Sequence, residues 1–406
     1  MRWRILLALA LAELLAISPW FSGTAAASEL RLLWGWDPLR ASWITVAVQL
    51  GFVAGALVSA WCNLSDVFPA PRVMLVSALL AAAANWSFGA LVAHGPAAAL
   101  TARFFTGVFL AGVYPAGMKI LAGWFREGRG TALGVMVGAL TIGTASPYAL
   151  RALAAGERLP WQPVIQSSTV GTLLGAAIIA LFIKEGPFAA PAARFDIHQA
   201  GETFRNRRLL LANAGYWGHM WELYAMWAYL GILMVPRYDA SHSGFIELLS
   251  RTQWWAFAAI AMGAFGCLAA GVWADRDAIS RLRQRSNVTI AAMVISGLCC
   301  LVGAALVHRT DWFAAVALVW GFSVVADSAQ FSAIVSEVSD PRYVGTALTM
   351  QTATGFALTA VSLQAFGWML GRGHIREAIA SLALGPVVGI WAMWRLKQLS
   401  AAETSA

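Results

Sequence analysis

Apolar stretches of roughly 20 residues recur along the whole chain, and they restrict the possible folds more than any other feature. As a helix, a stretch of that length crosses about 30 Å of hydrocarbon and satisfies its own backbone hydrogen bonds there. The chain is 59% hydrophobic and 12% charged, about half the charged fraction of an ordinary soluble domain. We therefore predict an all-α integral membrane protein. Its twelve predicted spans are 4–24, 41–62, 71–92, 97–124, 131–153, 161–183, 209–235, 253–273, 286–307, 311–336, 344–370 and 376–396.

The sequence also repeats itself. Glu13 follows an apolar run in span 1, and Glu222 occupies the corresponding place in span 7, 209 positions later. Asp66 and Asp275, at the ends of spans 2 and 8, have the same separation of 209 positions. Two matches in the same order at one spacing indicate that the chain was built from two tandem halves.

A third repeated string locates a small insertion between the halves. Gly-Thr-Ala-Leu begins at Gly130 and again at Gly345, 215 positions later. We predict an N-terminal six-helix bundle at 1–183, a basic cytoplasmic linker at 184–208 and a C-terminal bundle with a short tail at 209–406.

The basic residues predict the orientation of the chain. Most of the 28 Lys and Arg residues fall in loops on one side of the predicted membrane, which by the positive-inside rule is the cytoplasm. Both termini are then cytoplasmic, in a plasma (inner) membrane. The net charge of +8 is explained by this bias and does not indicate a nucleic-acid partner. The first segment resembles a signal peptide, but Glu13 interrupts its apolar core, so we expect it to be retained as span 1.

The four cysteines show no spacing typical of a metal site or a disulfide framework. They all fall in or at the ends of spans, where small core residues are common. We expect neither a metal nor a cofactor.

Two motifs connect the chain to a known family. Gly271-Val-Trp-Ala-Asp275-Arg276 follows span 8, and Arg103-Phe-Phe-Thr-Gly107 lies in span 4. Together with the twelve spans and the tandem halves, these motifs resemble the major facilitator superfamily. The resemblance covers nearly all of the chain. It implies twelve transmembrane helices in two six-helix bundles and secondary transport by alternating access.

The first copy of the cytoplasmic motif is degenerate. Cys62 stands in the place of its glycine, and the arginine that should follow Asp66 directly comes six residues later, as Arg72. An aspartate at a helix end can pair with an arginine and with the amides of a neighbouring helix N-terminus. We predict that Asp66, Arg72, Asp275 and Arg276 form a conformational latch; solvated loop charges are the alternative.

Six ionisable residues are predicted to lie inside the membrane. A charge at that depth costs on the order of 2.5–3.5 kcal/mol, so it should face a partner or a cavity. All six fall on spans 1, 4, 7 and 10, the helices that line the central cavity in the superfamily. These residues are Glu13, Arg103, Lys119, His219, Glu222 and Asp327.

Four of the six are candidates for proton coupling. A buried carboxyl group avoids the cost of burial by binding a proton, which favours this role for Glu13, Glu222 and Asp327. His219 lies three positions before Glu222 and so shares a helix face with it, which suggests a proton relay between the two. Structural hydrogen bonding is the alternative for each of them.

Substrate contacts are predicted from the remaining polar and aromatic residues. Trp20 and Tyr229 each lie seven residues after a repeated glutamate, and Gln330 follows Asp327 by about one turn. Arg103 is expected to pair with an acid or to attract an anionic group. Lys119 either binds substrate or extends to the cytoplasmic side.

The sequence therefore predicts a proton-coupled secondary transporter for a small organic solute, acting in the lipid bilayer as a monomer. Proton-antiport export of hydrophobic or cationic drugs uses the same fold and stays open. An integral-membrane enzyme would need a nucleophile with a base or a metal cluster at membrane depth, and the sequence suggests neither. A receptor of the same fold without flux is the last alternative.

Overall fold

The structure, a computed structural model, is helical throughout the part of the chain that it describes. Within that part, helices of 15 residues or more alternate with short helices and turns, and no strand occurs. The described residues are 2–62, 64–125, 127–157, 159–188, 201–234, 245–276, 281–340 and 343–404.

Twelve helical spans are arranged in chain order, as predicted. Within the described residues, eleven are long and apolar enough to cross a membrane. The exception is span 7, which is 28 residues long but carries the polar residues Asn213, His219 and Glu222. The spans are 1 (Arg2–Ile17 and Pro19–Ala25), 2 (Pro38–Ala41 and Trp43–Trp61), 3 (Ala70–Leu91), 4 (Pro96–Leu110 and Tyr114–Trp124), 5 (Arg129–Gly156), 6 (Gln162–Phe182), 7 (Arg207–Met234), 8 (Phe245–Ala274), 9 (Arg281–Leu306), 10 (Thr310–Val324 and Ser328–Val338), 11 (Val344–Gly371) and 12 (Ile375–Ser381 and Leu384–Thr404).

Several helices extend beyond the predicted spans, because a helix can continue past the hydrocarbon into the polar layer. Span 8 begins at Phe245 rather than at 253, for example. We call spans 1–6 the N-terminal half and spans 7–12 the C-terminal half. The exact linker boundaries stay a prediction, since residues 189–200 lie outside the described part. The face bearing the loop between spans 1 and 2 is called the outer face, following the predicted orientation.

The internal repeat is visible in the helix boundaries themselves. Spans 4 and 10 are each broken into two segments, and all four boundaries of one recur in the other 214 positions later. Spans 5 and 11 start and end at positions 215 apart. The corresponding boundaries in spans 4 and 10 are Pro96 and Thr310, Leu110 and Val324, Tyr114 and Ser328, and Trp124 and Val338.

The shared break belongs to the fold and not to one residue type. In span 4, Pro115 lies in the first turn of the second segment, where a missing backbone N–H costs nothing. Span 10 breaks at the equivalent place without a proline, and Asp327 immediately precedes its second segment. Irregular backbone is tolerated at membrane depth only where protein surrounds it, so the breaks mark the interior of each half.

Glycines bring the two halves together. The most extensive contact between two helices joins span 5 to span 8, where Gly134 faces the Cys267 carbonyl and Gly138 faces Ala264. A Cβ at Gly134 would lie 2.6 Å from the carbonyl oxygen of Cys267, closer than packed atoms approach. Because lipid provides no hydrophobic drive for helix association, close backbone packing of this kind is what holds helices together in a membrane.

Candidate functional site

Glu13 is buried in span 1 without any hydrogen-bond partner. Its side chain is 0% exposed, and in the described part of the chain neither carboxyl oxygen is hydrogen-bonded. The carboxyl group lies against Gly117 of span 4, where an added Cβ would be 3.3 Å from Oε2. The Met136 and Met74 side chains reach the same glycine. Glu13 therefore points into the N-terminal half, into an apolar site that the glycine leaves open.

Glu222, its repeat equivalent, has three donors. Trp320 Nε1 donates to Oε1 at 2.5 Å, Ser296 Oγ donates to Oε2 at 2.9 Å, and Cys300 Sγ donates to Oε1 at 3.1 Å. These donors come from spans 9 and 10, so Glu222 points into the interior of the C-terminal half. The two repeated carboxyl groups occupy equivalent places in the two halves, but only the carboxyl group of Glu222 is hydrogen-bonded within the described structure.

His219 pairs with Asp327 and not with Glu222. The His219 Nδ1 atom lies 2.9 Å from Asp327 Oδ1, and both side chains are buried. The structure shows His219 beside Asp327, and the predicted relay from His219 to Glu222 stays a prediction. Residues three apart differ by about 60° around a helix. His219 therefore faces the break in span 10, whereas Glu222 faces span 9 and the first segment of span 10. His219 Nε2 has no hydrogen-bond partner among the described residues.

Arg103 is surrounded by oxygens and not by acids. Its guanidinium donates to the carbonyl oxygens of Pro19 at 2.8 Å and Trp20 at 2.5 Å. These carbonyls follow the interruption of span 1 at Ser18. A buried cation so placed stabilises the outer part of span 1, and its predicted substrate contact stays a prediction. The other groups around it are the Ile44 carbonyl, the Ser22 and Asn85 side-chain oxygens, and the Phe88 ring.

The other predicted substrate residues are dispersed. Gln330 Oε1 accepts a hydrogen bond from Arg285 Nη1 at 2.6 Å inside the C-terminal half. Tyr229 donates its hydroxyl to the Leu363 carbonyl at 3.0 Å near the outer face. Lys119 is half-buried in the second segment of span 4. The structure does not bring these three together, and their substrate roles stay predictions.

Trp20 belongs to an aromatic cluster that joins the two halves. Its ring centroid lies 5.0 Å from that of Phe52 in span 2, 5.7 Å from Tyr224 in span 7 and 5.3 Å from Phe356 in span 11. Trp20 is buried, and its indole nitrogen has no hydrogen-bond partner among the described residues. The cluster closes the seam between the halves on the outer side of Glu13.

Two buried amides are not among the residues predicted from the sequence. Gln49 in span 2 is 0% exposed, and neither of its amide atoms has a hydrogen-bond partner in the described structure. It precedes Phe52 by three positions and so shares a helix face with the aromatic cluster. Gln351 in span 11 is also buried with its Oε1 unpaired. In the sequence, each of them is a neutral amide inside a predicted span, the same signal that Gln330 carries.

Asp275 joins the halves at the cytoplasmic face. Its Oδ1 accepts from the Gly130 amide at 3.0 Å, and its Oδ2 accepts from the Thr131 amide at 2.7 Å and the Thr131 hydroxyl at 2.8 Å. These are the unpaired donors at the N-terminus of span 5, where the helix dipole favours an anion. Gly271 of the same motif lies against Gly130, where a side chain would collide with its carbonyl oxygen. The motif glycine thus permits the approach that the aspartate needs.

The remaining latch residues are less informative. Arg276 and Arg72 are both exposed. The Asp66 side chain lies outside the described residues. The contact of Asp275 has the geometry that the latch hypothesis requires, and its control of the conformational equilibrium stays a prediction.

Fold and site together describe a helical membrane protein of two repeat-related halves, with titratable groups buried on spans 1, 7 and 10. The family model of the Major Facilitator Superfamily matches residues 8–363, and the chain belongs to this superfamily of transporters.

The comparison with solved structures agrees. The chain is similar to the proton:xylose symporter XylE bound to 6-bromo-6-deoxy-D-glucose, with a TM-score of 0.72 and 10% sequence identity. The match covers 99% of this chain and 98% of that one, and at this identity it supports the shared fold alone. Among curated proteins, no sequence match is significant.

Replacing Asp275 by Asn should open the cytoplasmic face more often. The loss of an anion at a helix N-terminus costs about 1 kcal/mol, which corresponds to a several-fold change in population. Cys267 lies two turns before Asp275 in span 8, with its backbone carbonyl against Gly134 of span 5 and its buried thiol donating to the Val325 carbonyl of span 10. In a Cys62→Ser background, a maleimide added from the cytoplasmic side should label Cys267 several-fold faster in Asp275→Asn. Arg276→Gln is the matched control at the next position; equal labelling rates in the two variants would contradict the latch.

Proposed function

We propose that this protein is a secondary transporter that moves a small organic solute by alternating access of its two halves, driven by protons. Membership of the superfamily supports the transport class. The predicted positions of the termini support a multi-pass protein of the plasma membrane with both ends in the cytoplasm. The solute, the coupling ion and the monomeric state are part of the proposal.

The burial of Glu13 carries the proposal of proton coupling. An ionised carboxylate at this depth, with neither oxygen hydrogen-bonded, would lose its hydration and gain nothing in exchange. Glu13 is therefore protonated in this conformation. When the halves rearrange and water reaches span 1, the same group can release its proton, so that protonation becomes linked to the conformational change.

The His219–Asp327 pair supplies a second titratable element. With the imidazole protonated and the carboxyl group ionised the two side chains form a buried ion pair, and the gain or loss of a proton changes the charge that the surrounding helices must accommodate. Asp327 directly precedes the second segment of span 10. Protonation of the pair thereby acts on a joint between two helix segments, which is a natural point for a conformational change.

Glu222 is suited to hold one position while it gains or loses a proton. Its three donors satisfy the carboxylate, and the Ser296 hydroxyl can also accept a hydrogen bond from the protonated form. We therefore retain Glu222 among the proton-coupling groups. Its role differs from that of Glu13, which has no donor to stabilise the anion.

The unpaired polar atoms around the seam indicate the chemistry of the solute. Among the described residues, Gln49 has an unpaired amide acceptor and donor, Gln351 has an unpaired carbonyl oxygen, and the Trp20 indole adds a donor. A solute with hydroxyl or carbonyl groups would satisfy them. Xylose, the sugar of the similar symporter, is a solute of this kind, although the identity of 10% does not transfer it to this chain.

Export of a cationic compound by proton antiport is the second candidate. A cation could displace the proton of Glu13 and contact the rings of Trp20 and Tyr224. A thermal-shift screen with polar metabolites and with cationic drugs separates the two candidates, because a ligand stabilises the protein to which it binds.

Replacing Glu13 or Glu222 by Gln should abolish pH-driven flux and leave the fold intact. Glutamine is neutral and of the same size, so it mimics the protonated carboxyl group but cannot release a proton. In wild-type proteoliposomes, a pH gradient should drive accumulation of the solute that the screen identifies, and neither Gln variant should show this accumulation. Solute exchange at fixed pH should persist in both variants. Glu247→Gln, at an exposed acid of span 8, is the control. Wild-type pH-driven flux in Glu13→Gln would refute proton coupling through this residue.

Replacing His219 by Gln should flatten the pH profile of transport. Glutamine can still donate to Asp327 but does not titrate near neutral pH. Net flux measured between about pH 5.5 and 8.5 should lose most of its pH dependence, with exchange at one pH nearly normal. An unaltered profile with less folded protein would indicate a structural role, and a failure of exchange itself would indicate substrate contact.

A further inference from the structure

A groove on the membrane-facing surface crosses the seam between the halves. It lies between the outer parts of spans 2 and 11 and has a volume of about 640 Å³. Trp43 and Leu50 line it from the N-terminal half, and Val361 and Trp368 line it from the C-terminal half. Trp43, Val361 and Trp368 are each 42–56% exposed, so the groove opens toward lipid and is separate from the buried carboxyl groups.

The groove offers almost only hydrocarbon to an occupant. Gln364 is its one polar lining residue, and its amide already donates to the Ser42 hydroxyl of the other half at 2.8 Å. An apolar slot of this size between two helices fits an extended acyl chain. The hydrogen bond across the seam also holds the two walls of the groove together.

Two exposed arginines stand at the outer end of the groove, one from each half. The Arg372 guanidinium lies 4.0 Å from the ring centroid of Trp368, which is itself a wall of the groove. Arg40 belongs to the short segment Pro38–Ala41, which packs against the end of span 11. Asp37, the acid three residues before Arg40, caps this segment by accepting from the Arg40 backbone amide. Positive charge above an apolar slot is complementary to a phosphate above an acyl chain.

We propose that this groove binds an anionic phospholipid of the leaflet at the outer face, with an acyl chain between spans 2 and 11 and its phosphate at Arg40 and Arg372. Since both walls and both arginines come from different halves, the site is complete only while the outer ends of spans 2 and 11 are together. The bound lipid therefore stabilises conformations closed at the outer face. This inference does not depend on proton coupling or on the identity of the solute.

Lipid retention tests the site directly. Native mass spectrometry of purified protein, exposed to equal amounts of phosphatidylglycerol and phosphatidylcholine, should show one phosphatidylglycerol retained at collision energies that remove phosphatidylcholine. The double variant Arg40→Gln/Arg372→Gln should lose this preference at least several-fold. Arg309→Gln, at an exposed arginine of the loop between spans 9 and 10, should retain it. Equal retention of both lipids by the wild type would overturn the proposal.

A second variant tests the slot without altering any charge. Ala360→Trp should fill the groove and expel the acyl chain, and its melting temperature in detergent shows whether it has folded. Should Ala360→Trp fold and keep the phosphatidylglycerol, the acyl chain does not occupy this groove. Displacement of the lipid by the transported solute would assign the groove to substrate entry instead and would equally overturn the proposal.

The effect on conformation has its own readout. In a Cys62→Ser background, a cysteine placed at Gln49 should react with an external maleimide more slowly in phosphatidylglycerol vesicles than in phosphatidylcholine vesicles, by several-fold. The Arg40→Gln/Arg372→Gln variant should react at the same rate in both. If the reaction rate of the double variant still differs between the two lipids, the lipid acts elsewhere on the protein and not at the proposed site.

Discussion

A carboxyl group in the middle of a membrane must be neutralised, hydrogen-bonded or hydrated, and this structure uses different solutions at its three buried acids. Glu13 has no hydrogen-bond partner among the described residues, and we propose that a bound proton neutralises it. Glu222 is satisfied by three uncharged donors. Asp327 is paired with His219. Because the cost of a buried charge is several kcal/mol, each solution ties a protonation state to a particular packing of helices.

The same helices carry the elements that can move. Span 4 and span 10 are interrupted at equivalent positions, and the Asp327 side chain stands directly before the second segment of span 10. The two halves are joined at the cytoplasmic face by Asp275 on the N-terminus of span 5, and toward the outer face by the aromatic cluster around Trp20. In the proposed alternating-access cycle, opening either face requires one of these contacts to separate.

Much of this architecture could be predicted from patterns in the sequence. Apolar run lengths predicted the spans, and the strings around Glu13 and Glu222 predicted the repeat, because helix boundaries follow composition. The break in span 4 is accompanied by Pro115, whereas the break in span 10 has no proline beside it and could be inferred only from the repeat.

The partners of the buried groups were less predictable. A three-residue spacing places His219 and Glu222 on one broad face, but about 60° between them is enough to give each a different partner on a different helix. The oxygens around Arg103 come from backbone carbonyls in span 1, which carry no side-chain signature. The rings of Phe52 and Phe356 look in the sequence like any lipid-facing aromatic residue, and only the packing of the halves places them against Trp20.

We propose that protonation shifts the two halves between conformations open at opposite faces. Double electron–electron resonance tests it most directly, with spin labels across the seam in a Cys62→Ser background. The exposed positions Glu157 and His374 serve the outer face, and Arg72 and Gln398 serve the cytoplasmic face. Between about pH 8.5 and 5.5, we expect one distance distribution to lengthen while the other shortens. Distances that stay fixed at both faces, or that change in the same direction, would contradict it.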